Sequence, residues 1–335
     1  MPQLTIGLPV FNAMPYLAET VRSLLGQSFR DFELLAIDDG STDGSGEFLS
    51  KIEDPRIRLI RQPNRGLTGT LNRMLEEART PWLVRHDADD VAYPQRLQRI
   101  MEAITSRPDS GMFYSPADYT GAGRSLGTFR TSRGSPAQLT LATRAGYLLA
   151  ICHPTVTLNV KKTVALGGYR FDLHIEDIDL WWRMALRHEI TLIPEPTVGF
   201  RLNTGSVSSS NLERQERNML FVQHLLLSHL WQLSPSTLEQ AAPALDRLMD
   251  PKKLLFRRHL RAAGMAMGER AYGKALLNGG LAAVKTPTYL LKRLAYGRGE
   301  DASMAVNGVS PLEFAAISEK LWPSRGASAM PEARR

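Results

Sequence analysis

The sequence predicts an α/β fold, in which a mostly parallel sheet with flanking helices is followed by a helical carboxy-terminal region. In the amino-terminal half, short apolar runs alternate with segments of helical periodicity, which is the pattern of a mostly parallel sheet. Beyond "FRLNTGSVSSSN" the chain becomes helical and basic until near Tyr296. With 335 residues, of which 43% are hydrophobic and 22% charged, the chain can form a substantial core.

The elements follow in order along the chain. The predicted strands are "LTIGLPV", "FELLAID", "IRLIRQ" and "PWLVRHD", and the predicted helices lie near residues 16–25, 45–52 and 68–78. From about Gly111 the pattern loosens, "ICHPTVTLNV" indicates a further strand, and "LGGYRFDLHIEDIDLWWRMAL" indicates a glycine-rich turn that enters a helix. Three regions are expected: an α/β domain over residues 1–210, a helical basic region over 211–323, and a disordered tail over 324–335.

The net charge of +7 is unevenly distributed. The segment from Pro251 to Arg298 carries eleven Lys or Arg residues against one acid, Glu269, which is +10 and leaves −3 for the remainder. This argues against a nucleic-acid partner for the front of the protein and favours an anionic surface, such as a membrane, contacted by the back. The alternative is a basic helical hairpin packed on the rest of the chain or on a partner.

Cysteine usage and the amino terminus predict a cytoplasmic protein. The single cysteine, Cys152, excludes an intramolecular disulfide and suits a reducing compartment. The start "MPQLTIGLPVF" has no basic n-region and enters a strand pattern directly, so no secretory signal is expected. The stretch from Asn218 to Leu238 lacks Asp, Glu, Lys and Arg, but its Gln and His residues favour a buried or amphipathic helix over a membrane span.

A polar cluster follows each of the first four strands. In order these clusters are "FNA", "DDGSTD", "QPNRG" and "HDADD". Since ligands bind at the carboxyl ends of the strands in such sheets, the four loops are expected to converge on one edge and form a site there.

The cluster "HDADD" places Asp87, Asp89 and Asp90 directly after an apolar strand. Their mutual repulsion costs stability unless something cationic relieves it. Carboxylate oxygens suit Mg²⁺ or Mn²⁺, and a nucleotide diphosphate would complete the coordination shell. The alternative is a solvated acidic turn.

Two further clusters carry carboxylates. In "AIDDGSTDG", a carboxylate at a strand end could accept the imino N–H of a base, and the alternative is an Asx-turn with a helix cap at Ser41 or Asp43. In "HIEDIDLWWR", acids occupy a helix start, where the dipole favours negative charge, and the alternative is a capped helix with a buried tryptophan face.

Taken together, these motifs resemble a known family. "LPVFN", "AIDDGSTDGS", "QPNRGLTGTLN", "RHDADDVAYPQRL", "GGYRFDLHIEDIDLWWR" and "FRLNTGSVS" are similar to the successive signatures of the family 2 glycosyltransferases, bacterial enzymes of the GT-A fold that transfer sugars from nucleotide diphosphates. The resemblance covers roughly residues 1 to 210 and implies that they form the catalytic domain.

The resemblance implies a nucleotide site and a metal site. Residues expected at the nucleotide are Pro9, Phe11, Asn12, Asp38, Asp39, Asn64, Gly66 and Asp87, with Asp39 or Asp38 accepting from the base. Asp87 and Asp89 match the DXD motif, with Asp89 preferred as the direct ligand of Mn²⁺ or Mg²⁺. Asn203 stands where a late motif, matched by Arg201 and Ser206, has a histidine, so Asn203 is a further candidate ligand.

The resemblance also implies the reaction. Asp177 matches the catalytic base, and Glu176, Arg201 and Trp181 are expected on the donor-sugar or acceptor side. The expected activity is inverting, metal-dependent transfer from a nucleotide sugar, with a UDP-sugar preferred, to a hydroxyl of a saccharide or lipid-linked acceptor in cell-surface polysaccharide synthesis. The alternatives are a nucleotidyltransferase and a non-catalytic nucleotide-sugar binding module.

Overall fold

A computed structural model describes residues 2–121, 124–171, 175–202, 212–296 and 306–322. The chain divides into two compact units. The first comprises Met1–Thr131, Ile151–Asp172 and Arg183–Arg201, and the second comprises Ser132–Ala150, Leu173–Trp182 and Leu202–Arg335. The predicted domain limit at residue 210 and the predicted disordered tail both lie outside the described residues and stay predictions.

The elements have the following bounds. The strands are β1 Leu4–Val10, β2 Phe32–Asp38, β3 Ile57–Arg61, β4 Trp82–Arg85, β5 Val91–Ala92, β6 Met112–Tyr114, β7 Ala117–Gly121, β8 Arg124–Thr128, β9 Leu148–Leu149, β10 Thr157–Asn159, β11 Ile190–Leu192, β12 Val198–Arg201 and β13 Val306–Asn307. The helices are α1 Leu17–Leu25, α2 Ser45–Ser50, α3 Gly66–Glu77, α4 Arg96–Ser106, α5 Pro136–Arg144, α6 Val160–Ala165, α7 Glu176–Arg187, α8 Leu212–Leu230, α9 Leu238–Leu245, α10 Pro251–Gly268, α11 Tyr272–Lys285, α12 Pro287–Tyr296, α13 Pro311–Ala315 and α14 Ser318–Leu321.

The main sheet of the first unit confirms the predicted fold class. In the described residues its strand order is β11-β6-β10-β4-β1-β2-β3, and only β10 runs antiparallel to its neighbours. Every residue of β1 and β2 is buried, as expected for parallel strands that are covered on both faces. The carboxyl ends of β1 to β4 therefore lie at one edge.

A second sheet in the first unit has the order β5-β12-β7-β8. Its strand β5 begins immediately after the acidic turn and pairs with β12 through Val198 opposite Ala92. The turn is thus held between β4 of the main sheet and β5 of the second sheet. The sequence did not predict this sheet, because strands of two to five residues carry little periodicity.

The predicted strand "ICHPTVTLNV" is only partly correct. A short 3₁₀ helix occupies His153–Thr155, and the strand is confined to Thr157–Asn159. Pro154 has no N–H to donate to a sheet, which explains why the ladder starts after it.

The second unit is mainly helical in its described part. Helix α8 buries most of its side chains, including Gln223 and His224, as expected for the stretch that lacks charges. Leu220, Leu245, Phe314 and Trp322 belong to the core around it. Within the described residues, the helices are too short or too polar to cross a bilayer.

Candidate functional site

The loop after β1 is joined to the loop after β2 by the polar groups of Asn12. The Asn12 N–H donates to Ser41 Oγ at 3.0 Å, and its Oδ1 accepts from the Thr42 N–H at 2.8 Å. Asn12 has φ +50°, a left-handed conformation that asparagine tolerates better than most residues. Beside it Pro9 is buried in β1, whereas Phe11 is 51% exposed and presents its ring at this edge.

Asp43 and Ser45 reinforce this junction. The Met14 N–H donates to Asp43 Oδ2 at 2.8 Å, and the Ala13 N–H donates to Ser45 Oγ at 3.0 Å. Partial burial opposes the Asp43 charge, but hydrogen bonds from Ser45 and from the Met14 N–H lower the pKa of Asp43 overall. Asp43 Oδ1 also accepts from the Ser45 N–H at 3.0 Å, so the predicted Asx-turn is present. The predicted cap is not: the N-cap of α2 is Gly44, and no side chain caps that helix end. Asp43 and Ser45 instead hold the two strand-end loops together.

The two carboxylates that end β2 differ in their partners. Asp38 uses both oxygens: Oδ1 accepts from the Ser41 N–H at 3.0 Å, and Oδ2 lies 3.3 Å from Arg61 Nε. Asp39 uses Oδ1 to accept from Gln62 Nε2 at 2.7 Å and from the Arg65 N–H at 2.8 Å. Its Oδ2 accepts no hydrogen bond from the described residues.

The loop after β3 packs closely on Gly40. A Cβ atom at Gly40 would lie 3.0 Å from the backbone nitrogen of Asn64, and its φ of +79° favours glycine independently. The exposed Asn64 accepts from the Gly66 N–H at 2.9 Å, and Gly66 also has positive φ. The structure therefore brings Asn64 and Gly66 to the same edge as Asp39.

The acidic turn after β4 gathers three carboxylates. One oxygen from each of Asp87, Asp89 and Asp90 lies within 4.8 Å of the others. Asp87 and Asp89 are partly exposed, whereas Asp90 is buried. Burial, followed by the charges of Asp87 and Asp89, raises the pKa of Asp90 well above its usual value. The Asp90 Oδ2 is buried without a hydrogen-bond partner among the described residues.

Backbone hydrogen bonds fix the acidic turn and the loop of Asp39 beside β1. The His86 N–H donates to the Gly7 carbonyl at 3.0 Å, and the Asp39 N–H donates to the Val10 carbonyl at 2.8 Å. The acidic turn and Asp39 thus flank the same strand, as the sequence predicted for loops at the carboxyl ends of neighbouring strands.

Arg85 is a buried cation beneath the turn. Its guanidinium group forms an ion pair with the carboxylate of Asp87. Burial opposes the charge on Arg85, but the attraction and hydrogen bond of Asp87 outweigh it and raise the pKa of Arg85. The protein itself therefore offsets part of the negative charge of the turn.

His86 and Arg96 are two further buried residues beneath the acidic turn, and neither was predicted from the sequence. Arg96 donates to His86 Nδ1 at 2.5 Å and to the carbonyls of Arg85 and Pro154 at 2.6 and 2.7 Å. Burial, followed by the charges of Arg96 and Arg85, lowers the pKa of His86 well below its usual value, so the ring is neutral. Since Nδ1 accepts from Arg96, Nε2 carries the proton and donates to the Asp90 carbonyl at 3.3 Å.

Arg201 also holds the acidic turn. Its backbone N–H donates to Asp90 Oδ1 at 2.8 Å, its Nε donates to the Asp89 carbonyl at 2.8 Å, and its terminal nitrogen bonds Glu19 at 2.6 Å. The guanidinium carbon lies 4.7 Å from the centre of the Tyr16 ring. These contacts make Arg201 a positioning residue for the turn, whereas its predicted contact with donor sugar or acceptor stays a prediction.

The acidic helix start belongs to the second unit. In α7, Asp177 is partly exposed, whereas Asp179 is completely buried and accepts from Trp182 Nε1 at 3.2 Å. Glu176 and Trp181 are buried, so a contact between Trp181 and a sugar would require its exposure. The predicted Asn203 and Ser206 lie outside the described residues.

Comparison with known proteins supports the family that the motifs resemble. The profile described as "Glycosyl transferase family 2" matches residues 5–161. The putative glycosyltransferase EpsE of Bacillus subtilis (strain 168) is 28% identical over 194 residues, which are 54% of this chain and 66% of EpsE. The chain thus spans slightly less than two thirds of the length of that relative.

Two solved structures share the fold at low sequence identity. Residues 1–349 of S. aureus TarS, solved in complex with UDP-GlcNAc, match with a TM-score of 0.55 and 14% identity over 87% of this chain and 92% of that chain. The mannosyltransferase PcManGT of Pyrobaculum calidifontis, in complex with GDP-Man and Mn²⁺, matches with a TM-score of 0.52 and 16% identity over 97% of this chain and 88% of that chain. Residues 5–161 therefore match glycosyltransferase family 2, and the fold is that of the GT-A glycosyltransferases, which supports the predicted enzyme class.

Proposed function

We propose that this enzyme is an inverting, metal-dependent glycosyltransferase that uses a nucleotide-diphosphate sugar as donor, with a UDP-sugar as the first candidate. One observation carries the proposal. One carboxylate oxygen from each of Asp87, Asp89 and Asp90 lies within 4.8 Å of the others, at the same edge of the main sheet where Asp39 follows β2. A base-binding carboxylate on one side of β1 and a diphosphate-binding cluster on the other side fit the two ends of a nucleotide diphosphate.

Asp39 is the better of the two candidates for the base. Its Oδ2 accepts no hydrogen bond from the described residues, whereas both oxygens of Asp38 are engaged by Ser41 and Arg61. Gln62 Nε2 and the Arg65 N–H fix the Asp39 carboxylate through Oδ1, which leaves Oδ2 to accept the imino N–H of a pyrimidine or guanine base. The exposed ring of Phe11 supplies an apolar surface at the same edge.

The residues present fit a divalent cation. Asp87, Asp89 and Asp90 offer hard oxygen donors, and the buried Asp90 Oδ2 has no hydrogen-bond partner among the described residues, which is unfavourable unless a cation or water satisfies it. Mn²⁺ or Mg²⁺ held here would neutralise charge on the leaving diphosphate. The Mn²⁺ in the PcManGT complex supports the same choice of metal.

We propose Asp177 as the general base. Its carboxylate takes the proton of the acceptor hydroxyl, whose oxygen bonds to the anomeric carbon while the bond from that carbon to the diphosphate oxygen breaks. The nucleotide diphosphate leaves, and the single displacement inverts the anomeric configuration. The partial exposure of Asp177 supports this role, whereas Asp179 is buried against the Trp182 indole and is explained structurally.

The acceptor is proposed to be a hydroxyl of a saccharide or of a lipid-linked saccharide in cell-surface polysaccharide synthesis. The basic segment from Pro251 to Arg298, with a charge of +10, supports action in the cytoplasm at the inner face of an anionic membrane. The TarS complex with UDP-GlcNAc and the PcManGT complex with GDP-Man support a nucleotide-sugar donor, with UDP or GDP as the carrier.

The deciding experiment measures release of free nucleotide diphosphate from a panel of UDP-, GDP- and dTDP-sugars, with Mn²⁺, with Mg²⁺ and with excess chelator. We expect one donor class to be turned over only with metal. Asp177→Asn should lower turnover by about 10²- to 10⁴-fold, the usual contribution of a positioned base, with donor binding almost unchanged. Glu176→Gln serves as the matched neighbouring variant and should retain more activity.

Three results would contradict the proposal. Full turnover in excess chelator would exclude the metal role. Donor binding without turnover under all conditions would favour a non-catalytic binding module, and incorporation of nucleotide with release of pyrophosphate would indicate a nucleotidyltransferase. If Asp177→Asn keeps normal turnover while Glu176→Gln loses it, the base is misassigned.

A further inference from the structure

Exposed apolar side chains are concentrated in one part of the second unit. Of the eleven large apolar side chains that are exposed among the described residues, six lie within residues 267–291. They are Met267, Tyr272, Leu276, Leu277, Val284 and Leu291. Single exposed apolar residues are ordinary on a protein surface, but a concentration of this kind indicates a contact surface.

Helix α11 carries three of these residues on one face. At about 100° per residue, Leu276, Gly280, Gly273, Val284 and Leu277 fall within an arc of about 100°, which we call the α11 stripe. Leu276 is 77% exposed and Val284 is 80% exposed. The buried residues of the helix, Ala275 and Ala282, lie on the opposite side.

Two lysines border the stripe. Lys274 and Lys285 are exposed and fall about 60° to 80° beyond Leu277 around the helix axis, between the stripe and the buried side. No acidic residue occurs in α11. Long lysine side chains can extend from such positions to anionic groups while the apolar side chains next to them are buried.

Part of the basic charge in the neighbouring helix is already neutralised. Lys253 and Arg257 of α10 both bind the buried carboxylate of Glu216, and Arg258 lies 3.3 Å from Glu213. The charge of +10 therefore overstates what this region offers to a partner, and the surface is defined by the α11 stripe with its lysines rather than by charge alone.

We infer that the α11 stripe is a docking surface for an anionic lipid membrane, on which the helix lies in the plane of the interface. Leu276, Leu277 and Val284 would enter the boundary between headgroups and acyl chains, and Lys274 and Lys285 would contact the headgroup phosphates. This assigns a defined surface to the membrane contact proposed above, and it is independent of the sugar-transfer chemistry.

The test is co-sedimentation of the full-length protein with vesicles of phosphatidylglycerol and phosphatidylcholine, compared with phosphatidylcholine alone. The most informative variant is Gly280→Leu, because a Cβ atom at Gly280 meets no atom within 4 Å and leucine favours the helix. It adds an apolar side chain at the centre of the stripe, so we expect vesicle binding to tighten by roughly tenfold. Leu276→Glu should weaken binding by at least as much.

Controls separate this surface from nonspecific effects. Leu141→Glu changes a leucine on α5 that is 68% exposed, close to the exposure of Leu276, and should leave vesicle binding unchanged. Lys274→Gln combined with Lys285→Gln should weaken binding at low salt and have little effect at high salt. Nucleotide release measured without vesicles should be unaffected by all these variants, so a failure here is distinguishable from a failure of the proposed activity.

Three outcomes would overturn the inference. Vesicle binding that responds to neither Gly280→Leu nor Leu276→Glu would place the membrane contact elsewhere. Equal loss of binding with Leu141→Glu would remove the specificity of the stripe. A concentration-dependent dimer that Leu276→Glu dissociates, without any vesicle binding by the unmodified protein, would assign the stripe to a second copy of the chain.

Discussion

Replacement of Asp39 by asparagine should weaken nucleotide binding selectively. The variant keeps an oxygen that can accept from Gln62 Nε2 and the Arg65 N–H, which hold the carboxylate at 2.7 and 2.8 Å. Its amide NH₂ then occupies the place of Oδ2 and meets the imino N–H of the base donor to donor. A hydrogen bond to a charged group contributes about 1.5–3 kcal/mol, which corresponds to about a 10- to 150-fold rise in Kd.

Isothermal titration calorimetry with the tightest-binding nucleotide among UDP, GDP and dTDP measures this change. Asp38→Asn is the matched control, because Asp38 uses its oxygens for the Ser41 N–H and for Arg61, whose side chain is 49% exposed. We expect the control to change Kd by less than about threefold, since an ion pair with an exposed partner contributes little. A large loss in Asp38→Asn together with normal binding in Asp39→Asn would refute the assignment.

Three further predictions concern the acidic turn and stability. Asp89→Ala should abolish metal-stimulated nucleotide release and Asp87→Ala should lower it nearly as much, as measured over a metal titration; activity that persists in either variant would contradict the metal site. Arg96→Lys should raise the metal concentration needed for half-maximal activity, because lysine cannot bind His86 and two carbonyls at once in the fork geometry of arginine; an unchanged metal titration would limit Arg96 to a structural role. Burial lowers the pKa of His224 from 6.5 to about 4, so protonation of the ring is disfavoured in the folded state. The free energy of unfolding should keep this contribution of about 3 kcal/mol above pH 6.5 and lose it as the pH falls to about 4. Urea unfolding at several pH values should show this loss in the native protein and a smaller one in His224→Gln, and equal losses would refute it.

Much of the fold could be predicted because the amino-terminal half follows local rules. The predicted strands "LTIGLPV" and "FELLAID" coincide with β1 and β2, since continuous apolar runs of seven residues suit strands buried on both faces. The acidic turn could also be predicted as a candidate metal site, because three carboxylates directly after an apolar run repel one another unless something cationic relieves them. The difference between Asp39 and Asp38 could not be predicted, since it depends on Arg61 at the end of β3 and on Gln62 and Arg65 in the loop that follows.

The buried residues His86 and Arg96 beneath the turn could not be predicted for a related reason. Sequence patterns identify buried positions by apolar side chains, so His86 and Arg96 read as surface residues although both are buried. Arg96 can be buried because its donors reach His86 and the carbonyls of Arg85 and Pro154. The sequence offered one indication, namely that Arg85 and Arg96 both lie within ten positions of the three aspartates.

The mutual repulsion of the three aspartates is relieved only in part by the protein. Arg85 pairs with Asp87, and the Arg201 N–H binds Asp90 Oδ1, yet the pKa of Asp90 remains well above its usual value because burial and the neighbouring charges outweigh these contacts. Asp87 and Asp89 are partly exposed, so a cation that arrives with a diphosphate would reach their oxygens from solvent. The protein's own cations therefore hold the turn in shape, and the three converging carboxylates, with the buried Asp90 Oδ2 that has no hydrogen-bond partner among the described residues, support the proposed metal ion.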